Sequence, residues 1–191
     1  FDFTDHQYLV KDSNMGVILT SQSGETSDTL SALRKAKEYN LKTVAITNVS
    51  DSSMAKEADD AIITLCGEEV AILGTKTYVT QLFALYVIFF NMIKTKESEE
   101  ILTQLYTVPD LIEEAIETTE EKSKEIARIN KDVDLFYCMG SGLNFGLAYK
   151  LAMTMFMEGA LKHACTVYSC EFRHWLIERV EKGVTVVFLK A

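Results

Sequence analysis

Thr20-Ser21-Gln22-Ser23-Gly24-Glu25-Thr26 joins two segments of opposite character. Before it runs the apolar stretch Met15-Gly16-Val17-Ile18-Leu19, which predicts a fully buried parallel strand. After it, Ser27 to Tyr39 carries Leu30, Leu33 and Ala36 at helical spacing. A helix N-terminus leaves backbone N–H groups unpaired and holds partial positive charge. The hydroxyls of Ser21, Ser23 and Thr26, the Gln22 amide and the backbone at Gly24 then make a donor-rich cup for a phosphate or another anion. Junction chemistry alone leaves a second reading open, in which Ser23 or Thr26 simply caps the helix.

Working outward, Leu41 to Thr47 reads as a second strand, and Asn48 to Ser53 as a polar turn. Met54 to Ala58 reads as a short helix, and Ala61 to Leu65 as a third strand. Strands alternating with helices imply a parallel sheet covered on both faces, with ligands beyond the carboxyl ends of the strands. Gly67-Glu68-Glu69 occupies a second such end. Phe1 to Asp12 is expected to be an edge strand and a loop. Thr75 to Ile93 reads as a long helix buried on most sides, in the core or at a subunit interface. Lys76, Thr80, Gln81 and Asn91 cut it short of a membrane span. Lys94 to Glu100 reads as a charged hinge. Pro109 and Asp110 then open a solvated linker helix, with Asp110 and Glu113 at capping-box spacing. Leu135 to Met139 is a fourth strand, followed by Gly140-Ser141-Gly142 and a long helix from about Asn144 to His163. The next glycine, Gly146, falls one position late for a dinucleotide fingerprint. Ala164 to Tyr168 and Val184 to Leu189 read as further strands. The expected architecture is a three-layer α/β/α fold with doubly wound parallel sheets, one nearly complete domain and the start of a second. The boundaries are 1–95 for the first domain, 96–131 for the linker helix and 132–191 for the second domain.

The chain has 191 residues, 48% hydrophobic and 25% charged, which suits one or two compact domains. A net charge of −9 disfavours nucleic acid as a partner, because phosphate contacts there need lysine and arginine. It also requires any phosphate pocket to be organised locally. Cys66, Cys138, Cys165 and Cys170 show no C-x-x-C pair, so buried thiols in a reducing cytoplasm are expected, with no metal and no cofactor. No signal peptide is visible, and the chain opens and closes in mid-pattern, as an internal piece of a longer protein would.

Glu158 sits in the apolar helix, among Met153, Met155, Phe156 and Met157. An exposed i,i+4 ion pair with Lys162 is the plainer expectation from composition. The alternative is a partly desolvated carboxylate able to act as acid or base near neutral pH. His174 is chemically suited to proton exchange near pH 7, although a loop histidine without a task looks the same in sequence.

Ser21-Gln22-Ser23-Gly24-Glu25-Thr26, with Asp28-Thr29-Leu30 soon after, resembles the phosphate loop of the sugar isomerase (SIS) domain family. Met157-Glu158-Gly159-Ala160-Leu161-Lys162 and Glu171-Phe172-Arg173-His174 look like the active-site stretch of its two-domain members. The resemblance covers nearly the whole chain in family order. It implies a phosphosugar isomerase or fructosamine-6-phosphate deglycase acting on a sugar phosphate. It assigns substrate binding to Ser21, Gln22, Ser23, Gly24 and Thr26. Glu158 would shuttle a proton between the first two sugar carbons, and His174 would open the ring from a neighbouring subunit, in a homodimer or larger assembly. Four departures stand out. The first strand and serine turn of domain one are missing, as is the end of domain two. Trp175 and Leu176 follow the histidine where the family often has Gly-Pro. Met155 stands where the glucosamine-6-phosphate synthase branch carries a lysine, which points to the isomerase or deglycase branch. The competing expectation is a phosphosugar-sensing or otherwise non-catalytic module, which needs the loop but not a proton-shuttling glutamate.

Overall fold

The computed structural model describes residues 14–71 and 73–190. The segment expected as an edge strand, 1–12, lies outside them. The chain divides into two compact units, Phe1–Pro109 and Asp110–Ala191.

In the first unit, β1 (Gly16–Thr20), β2 (Lys42–Thr47) and β3 (Asp60–Ile63) form a parallel sheet in the order β1-β2-β3. They are joined by α1 (Ser27–Glu38) and α2 (Ser53–Glu57), and followed by α3 (Lys76–Ile93) and α4 (Lys96–Leu105). Side chains alternate across a strand, and that alternation sorts the layers. Val17 and Leu19 point to the face where Leu30 and Leu33 of α1, Ala45 of β2 and Met54 of α2 make a buried core. Ile18 points the other way and lines an apolar groove with Leu82, Tyr86 and Phe89 of α3. The sheet therefore lies between two helical layers.

Two burial expectations fail here. β1 is not fully buried: it lies at the edge of the described sheet, and Ile18 keeps 43% of its surface. Among the described residues α3 is not covered on most sides, so the core setting expected for it fails, while the alternative, a subunit interface, requires an open face in the single chain. Thr77 is its one buried residue among the described residues, while Phe89 is 56% and Met92 74% exposed. By length and composition alone this 18-residue helix is apolar enough to cross a membrane, with a mean hydropathy of 1.2. The expected hinge at 94–100 is also mostly helix. Lys94 takes a left-handed turn at φ 52°, and α4 then starts on a capping box in which Thr95 and Ser98 satisfy each other's backbone N–H.

The expected linker helix is α5 (Val108–Ile129), which starts one residue before Pro109. Proline is tolerated in a first turn because its missing N–H has no partner there anyway. Asp110 is accordingly inside the first turn and not at a cap. The second unit then places β4 (Leu135–Gly140) between β5 (His163–Tyr168) and β6 (Thr185–Phe188), all parallel. After β4 the chain forms α6 (Leu143–Lys150) and a nine-residue π-helix, Leu151–Gly159. The helix expected to reach His163 thus ends at Gly159. Phe136 of β4 stacks on Phe156 at 4.3 Å, and Cys138 packs under Ala148 and Ala152. Of the four cysteines, all free thiols, Cys138 is fully buried and burial pushes its thiol up to about 11. Cys165 and Cys170 are exposed and Cys66 is half-buried, against the expectation of four buried thiols.

Candidate functional site

The Ser21–Thr26 loop leaves the carboxyl end of β1 and enters α1. Its shape is imposed by the segment 47–54 beside it. Asn48 N and Thr47 Oγ1 both donate to the Gln22 carbonyl, each at 3.1 Å. Met54 N donates to the Gly24 carbonyl at 3.1 Å. Two backbone oxygens that would repel an anion are thereby tied to the far side. Glu25 is the loop's single acid, and its carboxylate accepts from Ser53 N at 2.6 Å. That backbone hydrogen bond, at the N-terminus of α2, holds the Glu25 carboxyl below the usual carboxylate range. Gly24 sits at φ +67°, and a Cβ there would collide with the Ser52 side chain, so glycine is required twice over.

What remains on the open side is donor-rich. Ser21, 6% exposed, accepts from Gly24 N at 3.1 Å and shares a 2.9 Å bond with the Thr26 hydroxyl. Ser23 accepts from Glu25 N at 3.2 Å and keeps its own hydroxyl hydrogen to give. Thr26 is the N-cap residue of α1 but makes no side-chain capping bond, which removes the plain capping reading for it. The neighbouring helix starts are already satisfied. Ser52 caps α2 through Ala55 N, and the Glu69 carboxylate accepts from Thr75 N, Thr77 N and the Thr77 hydroxyl at the start of α3. Those bonds, Thr77 first, hold the Glu69 carboxyl below its ordinary value. The start of α3 is thus met by a carboxylate hydrogen-bonded from within the chain, whereas α1 has Asp28 in its first turn but no side-chain cap.

Asn48 connects this loop to the one after β3. Its Nδ2 donates to the Gly67 carbonyl at 2.8 Å, and its Oδ1 accepts from Cys66 N at 3.0 Å. In sequence Asn48 had the look of an ordinary polar turn residue; its position directly after a β-rich run was the available signal.

In the second unit the Gly140-Ser141-Gly142 turn follows the central strand. The chain builds β5 on one side of β4 and β6 on the other, so this turn lies where strand order reverses, the usual place for a ligand crevice. A Cβ on Gly140 would strike the Asn144 carbonyl, which lets α6 start close against the strand. Phe145 stacks on Tyr168 at 3.5 Å beside it.

Glu158 lies in the π-helix and is exposed. Its expected partner is elsewhere: Lys162 Nζ is 3.5 Å from Asp134 Oδ1. The helix stops at Gly159 and Leu161 turns left-handed at φ 52°, which carries Lys162 off the helix face toward the start of β4. The i,i+4 pair is not formed among the described residues. Nor is the carboxylate desolvated within this unit. His174 is exposed in a turn, with its backbone N–H on the Glu171 carbonyl at 3.0 Å and its ring 6.3 Å from that of Trp175. No group of metal-ligating side chains occurs among the described residues.

Comparison with known proteins gives consistent results. The chain is 38% identical over 189 residues to a glutamine–fructose-6-phosphate aminotransferase [isomerizing] of Clostridium acetobutylicum, covering 92% of this chain and 30% of that protein. The C-terminal domain of a glucosamine-fructose-6-phosphate aminotransferase from Francisella tularensis superposes with a TM-score of 0.83 at 29% identity, over 93% of this chain and 53% of that one. A glucosamine-6-phosphate deaminase from Thermotoga maritima superposes with a TM-score of 0.71 at 25% identity, over 91% of this chain and 52% of that one. The chain spans under a third of the curated relative and about half of these solved structures. The SIS domain family matches residues 2–91. Residues 2–91, which hold the parallel sheet β1-β2-β3 and the loop at residues 21–26, thus match the SIS domain family.

Proposed function

We propose that the chain binds a sugar phosphate on the Ser21–Thr26 loop and belongs to a phosphosugar isomerase or fructosamine-6-phosphate deglycase. The observation that carries this reading is the sorting of the loop: carbonyls and carboxylate are held away, while the hydroxyls of Ser21, Ser23 and Thr26 and a helix start without a side-chain cap remain. Glu158 is the base of this reading. It takes a proton from C1 of an open-chain ketose phosphate, an enediol forms, and the proton returns to C2. His174 assists ring opening from a neighbouring copy. With an amine at C1, the same shift gives an imine that water cleaves. The π-helix supports a role for Glu158, because such segments are frequent at functional sites. Carbon acids are weak, so the base must be held against the C–H bond and kept partly dry. The exposed face around Glu158 therefore needs covering, and the exposed apolar side of α3 fits the same requirement for a homodimer or larger assembly. Free thiols at Cys165 and Cys170 suit a cytoplasmic setting.

The test is solvent deuterium exchange at C1 of fructose 6-phosphate, and at C2 of the aldose formed from it, in the intact enzyme, with wild type and Glu158→Gln compared. Exchange should fall at least ~100-fold in the variant, with calorimetric affinity nearly unchanged. Equal exchange rates would defeat the role of Glu158. The exposure of Glu158 favours a second reading, a sensing or binding module. Tight binding of fructose 6-phosphate with no exchange in wild type is the result that module predicts.

A further inference from the structure

The geometry points to Asn48 as a positioning residue that sets the spacing between the phosphate loop and the loop after β3, and so determines how a sugar phosphate, as opposed to bare phosphate, is held. This rests on the sugar-phosphate reading above. The register of the sheet shows why Asn48 is special. Parallel pairing of β2 with β3 ends at Thr47 opposite Ile63, and Thr64 N then donates to the Thr47 carbonyl at 2.9 Å. Beyond that point the backbones separate and no strand ladder continues. The Asn48 side chain replaces the next rung. A carboxamide has one acceptor oxygen and an N–H donor, like a peptide group. Here Oδ1 takes Cys66 N at 3.0 Å and Nδ2 gives to the Gly67 carbonyl at 2.8 Å. The backbone N–H of the same residue holds the Gln22 carbonyl at 3.1 Å. One residue thus fastens the loop after β1 through its backbone and the loop after β3 through its side chain.

The second loop is held firmly at its other end too. Gly67 turns at φ +72°, and Glu69 ties the loop to Thr75 and Thr77 at the start of α3. Releasing Asn48 therefore lets 66–69 move relative to 21–26 without dismantling either. A phosphate ion needs the first loop alone. A sugar phosphate extends away from its anchor toward the neighbouring strand ends, where open-sheet ligands lie, and it senses the gap.

The experiment measures binding of fructose 6-phosphate by calorimetry and of inorganic phosphate by phosphorus NMR, to the full chain and to Asn48→Ala and Asn48→Leu. Both variants are neutral, and the leucine keeps the bulk while removing both side-chain bonds. Thermal unfolding is recorded alongside. Fructose 6-phosphate should weaken about tenfold or more, the size of one or two lost hydrogen bonds, while inorganic phosphate stays within about twofold. A purely structural role would weaken both ligands together with the unfolding temperature, and that result overturns the inference. So does unchanged affinity for both. A wild-type chain that binds neither ligand defeats the sugar-phosphate reading itself, and the positioning role with it.

Discussion

The hydroxyl oxygens of Ser21 and Thr26 lie 2.9 Å apart across the mouth of the loop, and Gly24 N donates to the same Ser21 oxygen at 3.1 Å. A hydroxyl that accepts one bond and gives another polarises its neighbour. With Ser21 giving to Thr26, the Thr26 hydrogen is left for an anion. Removing Ser21 breaks this line at its buried end. Ser21→Ala, and more so the triple change of Ser21, Ser23 and Thr26 to alanine, should weaken fructose 6-phosphate binding. A loss of about 10- to 100-fold is expected for the triple variant, as for charge-assisted hydrogen bonds. Calorimetry checks this, and unaltered affinity in a folded triple variant counts against the loop.

Gly24→Ala carries two penalties at once. Its φ of +67° is costly for a side chain, and the added methyl meets Ser52, with Thr47 Oγ1 3.0 Å away. A loss of about 1–3 kcal/mol of stability is expected, in line with strained backbone positions. Adding Ser52→Gly removes the collision but not the dihedral strain, so it should restore only part of the loss. Urea unfolding of the single and double variants gives the measurement.

Glu25 supplies a pH signature. Its carboxyl is held below its ordinary value in the folded chain by Ser53 N, so the unfolded chain takes up the proton first as pH falls. The stabilisation is present above the ordinary carboxylate range and is lost on acidification. Between about pH 5 and pH 3, the unfolding temperature of wild type should drop more steeply than that of Glu25→Gln. Parallel curves would mean that the Ser53 contact contributes nothing. Glu57, Asp59 and Glu69 are depressed in the same way, and they affect both proteins alike.

Self-association is predicted through α3. Ile18, Leu82, Tyr86, Phe89 and Met92 border one apolar groove. Light scattering should show a dimer or larger species for the wild type. Phe89→Asp, which alters a residue already 56% exposed, should shift it toward monomer while leaving the fold intact. A wild type that stays monomeric at micromolar concentration contradicts this.

The order of strands and helices was readable because local patterns carry it: apolar runs ended by turns, and Leu30, Leu33 and Ala36 on one helix face, all three now buried. Burial itself was not readable. Ile18 and Phe89 are as apolar as Leu19 and Leu33, but whether a side is covered depends on what packs beside it. The pairing of Glu158 with Lys162 assumed a helix that continued, and Gly159 ended it three residues too early. The capping box anticipated at Asp110 and Glu113 occurs instead at Thr95 and Ser98, where a serine takes the place usually held by glutamate or glutamine. At the candidate site the donors of the loop were visible in sequence. Thr47, Asn48, Ser53 and Met54, which turn its acceptors away, were not, because the last three act through backbone N–H groups that every residue but proline has and Thr47 through a hydroxyl at the end of a strand.

That division of labour bears on transplantation. Ser21 to Thr26 is short enough to graft into another strand–helix junction, but the graft would arrive with the Gln22 and Gly24 oxygens unfastened and the Glu25 charge at liberty. Such an insert would present a mixed surface and take up anions poorly. The smallest portable unit is the pair of segments 20–30 and 46–55, moved together with the sheet spacing that keeps Thr20 beside Ile46.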